Sequence, residues 1–286
     1  METGTAGIYS DIYKTLVTDE SLFPALPETT MRVRQVLDDQ NCKLTAVANI
    51  LKADPALTAL IMRVANSARF FSAFPPKNLL SALKRIGLST TTELVTAFAI
   101  RSTYDTQSDE LKTVLLDSYR QSTKIAVISY FLTYKVSKLS PSKALLAGLM
   151  QDIALPPILK CLYERPDIFN NPQRRTQAID HLAPMVGALI LKRWGFNKEM
   201  IDSVHSRKDW LRDPHSKADL GDIILIARIH SMLGTPEFRQ CPAINEIPAF
   251  HKLPLGKLTP GQSLKILEDA KDDIAEMNHL LDIGHA

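Results

Sequence analysis

Apolar residues in this chain return at intervals of three and four almost from end to end, and runs alternating apolar with polar residues are scarce. That spacing places them along one side of a helix and leaves little from which a sheet could be built. Glycine is also sparse, 11 among 286 residues, which suits helices better than turn-rich strand folds. An all-α fold follows. The length suffices for one large domain or two smaller ones with a well-filled core.

Capping and breaking residues divide the pattern. Residues 8–18 make a short amphipathic opening, which Phe23-Pro24-Ala25-Leu26-Pro27 breaks. Helices are expected over Glu28 to Leu37 and Leu44 to Lys52, and Asp54-Pro55 pairs an N-cap with a proline at the first helical position. Leu57, Leu60, Ile61, Val64, Ala68 and Phe71 continue that helix until Pro75-Pro76 forces a loop. Leu80, Leu83 and Ile86 form a further stripe, Gly87 closes it, and Thr90-x-x-Glu93 supplies a capping box for a helix carrying Leu94, Val95, Phe98 and Ile100. The polar stretch Arg101 to Asp109 is the expected seam between two halves.

The second half opens with a long helix, Glu110 to Ser137. Ser140-Pro141 starts the next, which ends at Pro156-Pro157. Helices at 157–164, 174–181 and 184–194 follow, then one capped by Asn197 and one from Asp219 to Leu233. Prolines 236, 242, 248, 254 and 260 suggest an extended surface connector, and Leu267, Ala270, Ile274, Met277 and Leu281 a last helix over Ser263 to Asp282. The expected organisation is a bundle over 1–108, a second helical half over 109–235, a connector over 236–262 and a C-terminal helix over 263–286.

Composition excludes several classes. A formal net charge of +3 is too small to mark a nucleic-acid binder by bulk electrostatics. Cys42, Cys161 and Cys241 are scattered, without C-x-x-C spacing, so neither a disulfide framework nor a zinc ribbon is available. Met1-Glu2-Thr3-Gly4 lacks the regions of a signal peptide, and no apolar run comes near the ~20 residues of a membrane span. A cytoplasmic protein without a membrane span is expected.

Three features could carry chemistry. The pair of helices around Gly87 could read DNA, but Thr90 to Ile100 offers Ala97, Phe98, Ala99 and Ile100 where a groove-reading helix needs polar or basic residues, so packing is preferred and no DNA partner is expected. Asn66-Ser67 interrupts a helical pattern, either as a ligand contact or as a polar pair satisfying nearby backbone. Within Ala144 to Ile153, Leu145, Leu149 and Asp152 share one inward face of a helix, and a buried carboxylate there requires a cation or hydrogen bonds. His181 and His205 could complete a metal site with Asp152 or serve as ordinary structural histidines; no two of the three stand at ligand spacing on one helix.

Several stretches in order resemble the HDOD family, a bacterial signalling branch related to the HD metal-dependent phosphohydrolases. They are Phe23 to Glu28, Ile50 to Thr58, Val64 to Ala68, Ala82 to Leu88, Ala147 to Ile153, Asp180-His181, Val186 to Leu189 and Arg193-Trp194-Gly195. The resemblance spans about residues 20–215 and implies an N-terminal helical bundle with an HD-like helical half. It also implies where a metal site would lie. Gln121 stands at the first His position, Gln151-Asp152 at the His-Asp doublet and Arg228 near the distal Asp, while His181 and His205 look like the extra histidines of two-metal relatives.

Those residues suit hydrolysis poorly. Glutamine amides are weak ligands, and arginine puts a fixed positive charge where a dication would sit. At a protein-like dielectric, unit charges about 4 Å apart repel by about 4 kcal/mol. Neither a catalytic residue nor a cofactor is therefore expected. Arg228 is expected to fork onto Asp152, with Gln121, Gln151 and His181 completing the hydrogen bonds. The expected function is a non-enzymatic signalling module with a degenerate site, acting through protein partners. The resemblance implies partners among histidine kinases, cyclic-dinucleotide enzymes and other regulators. The alternatives are a phosphohydrolase of nucleotides or cyclic dinucleotides, using iron, manganese or zinc on Asp152, His181 and His205, and a nucleotide sensor using Arg63, Arg69 or Arg228 on phosphate.

Overall fold

A computed structural model describes residues 2–37, 43–67, 70, 74–253 and scattered positions between 265 and 278. Among the described residues there are helices and turns and no strand, so the chain is all-α. Cys42, Arg69, Ala68, Phe71 and most of the expected C-terminal helix lie outside the described residues.

The first helix, α1 (Glu2–Thr18), starts before the expected residue 8. It is followed by α2 (Glu28–Leu37), α3 (Leu44–Leu51), α4 (Pro55–Ala65) and α5 (Leu79–Ser102). Asp54 accepts from the Leu57 amide at 3.0 Å and caps α4 as expected. That helix ends at Ala65, so Asn66 and Ser67 are its cap and not its interior. Asn66 Nδ2 donates to the Met62 carbonyl and Ser67 Oγ to that of Val64, the backbone-satisfying role. Gly87, at φ +81° and ψ 166°, kinks α5 where a side chain would be strained. Beyond it Ser89, and not Thr90, donates to Glu93 at 3.1 Å. Leu94, Val95, Ala97, Ala99 and Ile100 are buried, which fits packing and leaves no reading face on that helix.

Chain contacts divide the molecule into two compact units. One centres on residues 25–102, with a core of Val33, Leu51, Leu57, Ile61, Val64, Leu83 and Val95. The other combines residues 1–24 with 103–275. Its boundary at residue 103 falls in the expected seam, but α1 does not belong with the N-terminal bundle as expected. Ile12 and Leu16 of α1 are fully buried, and α1 packs on later helices of its own unit.

That larger unit contains α6 (Asp109–Val136), α7 (Pro141–Met150), α8 (Leu155–Tyr163), α9 (Pro166–Phe169), α10 (Pro172–Arg193), α11 (Lys198–His205), α12 (Leu220–Ser231) and α13 (Pro248–Lys252). Ser108, Ser140, Asn197 and Asp219 each cap a helix through the side chain. Pro156-Pro157 begins α8 and does not end α7, because the first helical positions need no amide partner. α10 runs through Pro184 as one helix where two were expected. Over residues 236–253 the proline-rich stretch is not extended: 3-10 turns at Pro236–Gln240 and Ile244–Glu246 lead into α13, whose Phe250 is buried with Ile247 and Leu253, while Pro254 and Pro260 lie outside the described residues. Residues 141–163 are, against expectation, long and apolar enough for a membrane span, but 94% of that window is buried within the fold and the turn between α7 and α8 interrupts it.

Every residue of α12 is buried, with α6, α7, α11 and α13 around it. α6 and α7 approach closely where Gly148 faces Ala126; a Cβ at Gly148 would meet Ala126 Cα at 2.4 Å. This approach sets the position of the turn that follows α7.

Candidate functional site

Asp152 does not continue the face of α7. Gln151 caps that helix, and the Ile153 amide donates to Met150 O, and the Leu155 amide to Asp152 O, each at 2.9 Å. These short-range bonds tighten residues 151–154 into a turn that aims Asp152 at α11 and α12. Tyr104 Oη donates to the Asp152 carbonyl at 3.0 Å, fixing the turn from the other side. Burial beside Asp152 pushes the Tyr104 hydroxyl up, so it remains a neutral donor.

The Asp152 carboxylate is 4% exposed and meets two guanidinium groups. Arg207, just past α11, donates to Oδ1 from Nε at 2.8 Å and again from Nη2. Arg228 of α12 donates from Nη2 to Oδ2 at 2.8 Å. The expected fork of Arg228 is thus divided: Nε and Nη2 also reach Gln151 Oε1 at 3.0 and 2.6 Å. Burial would push the Asp152 carboxyl up, but Arg207 and Arg228 outweigh it and hold the group at about 2. The aspartate is ionised at neutral pH, and both of its oxygens are engaged.

The other expected members lie elsewhere. Gln121 donates to Ser231 Oγ at 2.8 Å, and Ser231 in turn donates to the Arg228 carbonyl, so Gln121 braces α12 without touching Asp152. His181 is exposed with its ring 5.0 Å from that of Tyr9, and His205 is exposed on the last turn of α11. Neither bonds to Asp152, because their helices turn them toward solvent. The neighbour of His181 does join the group: Asp180 accepts from Arg207 at 3.4 Å and from Lys208 at 2.6 Å. Arg63 is half-buried in the other unit.

Among the described residues no three His, Cys, Asp or Glu side chains group as a metal site would require. Gln151 and Asp152 already accept from guanidinium groups that a dication would have to displace. This donor set does not fit a catalytic metal. Arg207 was not foreseen from the sequence; the only signal was that a buried carboxylate needs a cation or hydrogen bonds, and Arg207 stands two residues after the singled-out His205.

The HDOD domain matches residues 23–210. The chain belongs to the HDOD family. Its fold resembles a candidate metal-dependent phosphohydrolase of Shewanella amazonensis, with 25% identity, a TM-score of 0.75 and coverage of 98% of both chains. An HDOD domain protein of unknown function from Geobacter sulfurreducens shares the fold at 18% identity and a TM-score of 0.65, covering 97% of this chain and 98% of that one. A candidate signal transduction protein of Marinobacter aquaeolei does so at 18% identity and a TM-score of 0.61, covering 91% and 60%. In sequence, an uncharacterized protein of Treponema pallidum is 21% identical over an alignment of 235 residues that covers 77% of this chain. The chain spans 44% of that relative's length. The likenesses at 18% identity show a shared fold.

Proposed function

We propose that this HDOD protein is a non-enzymatic regulatory module of bacterial signal transduction, acting on protein partners in the cytoplasm. In this reading a site inherited from HD phosphohydrolases is closed by arginine. The observation that carries it is the engagement of both Asp152 oxygens by Arg207 and Arg228. Hydrolysis of a phosphodiester at such a site needs a metal to generate hydroxide and steady the leaving oxygen. Here that place is taken by groups that carry charge but neither bind nor deprotonate water as a dication does. The partners are regulators of the kinds the family resemblance implies, histidine kinases or cyclic-dinucleotide enzymes, and no cofactor is required.

Metal analysis of the purified protein, with a phosphodiesterase assay in added manganese or iron, tests the proposal. The expected result is substoichiometric metal that Asp152→Asn does not change, and no turnover. Stoichiometric iron, manganese or zinc lost in Asp152→Asn, with turnover abolished by chelator, would overturn it in favour of a phosphohydrolase. The likeness to the Shewanella protein at 25% identity is what favours that second reading. It would need Asp152 to exchange two guanidinium groups for a metal, without His181 or His205 at hand.

A further inference from the structure

The loop between α11 and α12 is pinned from inside on both of its arms. Arg207 holds Asp152 and, at 3.4 Å, Asp180, and the next residue, Lys208, reaches Asp180 at 2.6 Å. On the other arm Arg212 bonds Asp219 and Asp222, each at 2.7 Å, and Asp213 pairs with Lys252 at 2.9 Å. The two arginine side chains are only 4% and 7% exposed. Backbone bonds close the span between them. The Asp209 amide donates to Ser206 O at 3.0 Å, the Trp210 amide to Lys208 O at 2.9 Å and the Arg212 amide to Asp209 O at 3.2 Å. A span held by two buried charge clusters and by its own turns has little conformational freedom left to lose on binding.

Its outward side is of a different character. Leu211 is 69% exposed, and Trp210 beside it is half-buried. Asp209 and Asp213 stand two residues to either side of Leu211, and both are exposed. Arg207, Lys208 and Arg212 turn inward onto carboxylates, so the exposed charge within residues 209–213 is acidic. A lone exposed leucine is ordinary on a protein surface. One held in place next to a tryptophan and flanked by carboxylates has the make-up of an interface anchor, with apolar area at the centre and charge at the rim.

We propose that Trp210 and Leu211 form a docking knob for a protein partner that carries an apolar cleft edged by lysine or arginine. The proposal rests on the preceding reading that the module acts through protein partners, and it names the face that meets them. Charge selects the partner: Asp209 and Asp213 attract a cationic rim and are repelled by the anionic headgroups of a membrane.

Random peptides displayed on phage and selected on the full chain supply the probe. The enriched peptides are expected to combine apolar residues with lysine or arginine. Their affinity, read by anisotropy of the labelled peptide, falls about tenfold in Leu211→Ser and about threefold in Asp209→Asn. Leu211 and Asp209 are exposed, so both variants keep the urea midpoint of the wild type. No enriched peptide, or equal binding by wild type and Leu211→Ser, overturns this surface and leaves the arginine-closed reading of Asp152 in place. Bound metal with phosphodiester turnover overturns that reading even where peptide binding persists. Enrichment of acidic peptides, or binding to phosphatidylglycerol vesicles that Leu211→Ser abolishes, overturns the cationic protein partner. Self-association in sedimentation velocity that Leu211→Ser abolishes gives the knob to a second copy of this chain and overturns a separate partner.

Discussion

Two buried carboxylate clusters touch α12, and they are built in opposite ways. At its first turn Asp222, fully buried, accepts from Arg212 at 2.7 Å and from Lys252 at 3.4 Å, while Asp219 takes Arg212 and completes a reciprocal cap with Asp222. Asp213 also pairs with Lys252, so three carboxylates meet two cations. Six residues on, about 9 Å along the helix, Arg228 joins the Asp152 cluster, where three cations meet two carboxylates. The first network is mostly local, caps a helix and anchors α13 through Lys252. The second draws on a turn, a helix end and a helix interior scattered over 77 residues from Gln151 to Arg228. Of these two clusters, the one with the cationic surplus is the one that the fold, not a cap, assembled.

The sharpest way to break this comparison is to remove each central carboxylate in turn. Asp152→Ala leaves two buried guanidinium groups facing each other and is expected to cost about 3–5 kcal/mol in urea unfolding. Asp222→Ala leaves Arg212 with Asp219 and Lys252 with Asp213, and is expected to cost about 1–3 kcal/mol. Equal losses would show that the two clusters bear alike on stability. Next comes Gly148→Ala, whose methyl would press on the Ala126 backbone and displace the Asp152 turn, for about 3 kcal/mol by the same measurement. At the other cluster, Gly221→Ala meets the far end of Arg212 and should cost about 1 kcal/mol.

Acid separates the clusters by sign. The folded Asp152 carboxyl, at about 2, lies below its ordinary 3.8, so its stabilisation is present above 3.8 and is lost as pH falls toward 2. The loss is about 2 kcal/mol. Burial raises Asp222, so its contribution runs the other way, present at low pH and lost as pH rises through its folded value. Melting temperature against pH should therefore show a shallower acid limb in Asp152→Asn and a steeper one in Asp222→Asn. The smallest effect is expected at His205→Ala, an exposed position, within about 0.5 kcal/mol and with no change in bound metal. A drop in metal content there would revive the phosphohydrolase reading.

Most helix starts were legible because they are local events. Asp54, Ser140, Asn197 and Asp219 each bond an amide within three residues, a distance that sequence spacing encodes. Spacing failed where two local rules competed. Pro156-Pro157 can stop one helix or open another, and only the turn at residues 151–154 decides between them. The same turn rotated Asp152 off the face that Leu145 and Leu149 had suggested. The pairing of Asp152 with Arg228 was legible only through the family resemblance, which set Arg228 near the distal ligand position, and charge compensation then joined the two. The contribution of Arg207 was not, since nothing in Ser206-Arg207-Lys208 distinguishes a buried guanidinium from a solvated one.

By itself the sequence determined the all-helical class, most of the caps and the need for a cation or hydrogen bonds at Asp152, because periodicity, capping and the cost of a bare buried charge act over short distances or on composition. Tertiary structure alone decided which cations answer that need, that α1 joins the later helices, and that His181 and His205 face solvent. Those outcomes depend on how helices far apart in the chain rotate and approach. Side-chain volumes such as that missing at Gly148 set the approach, and no local pattern records it.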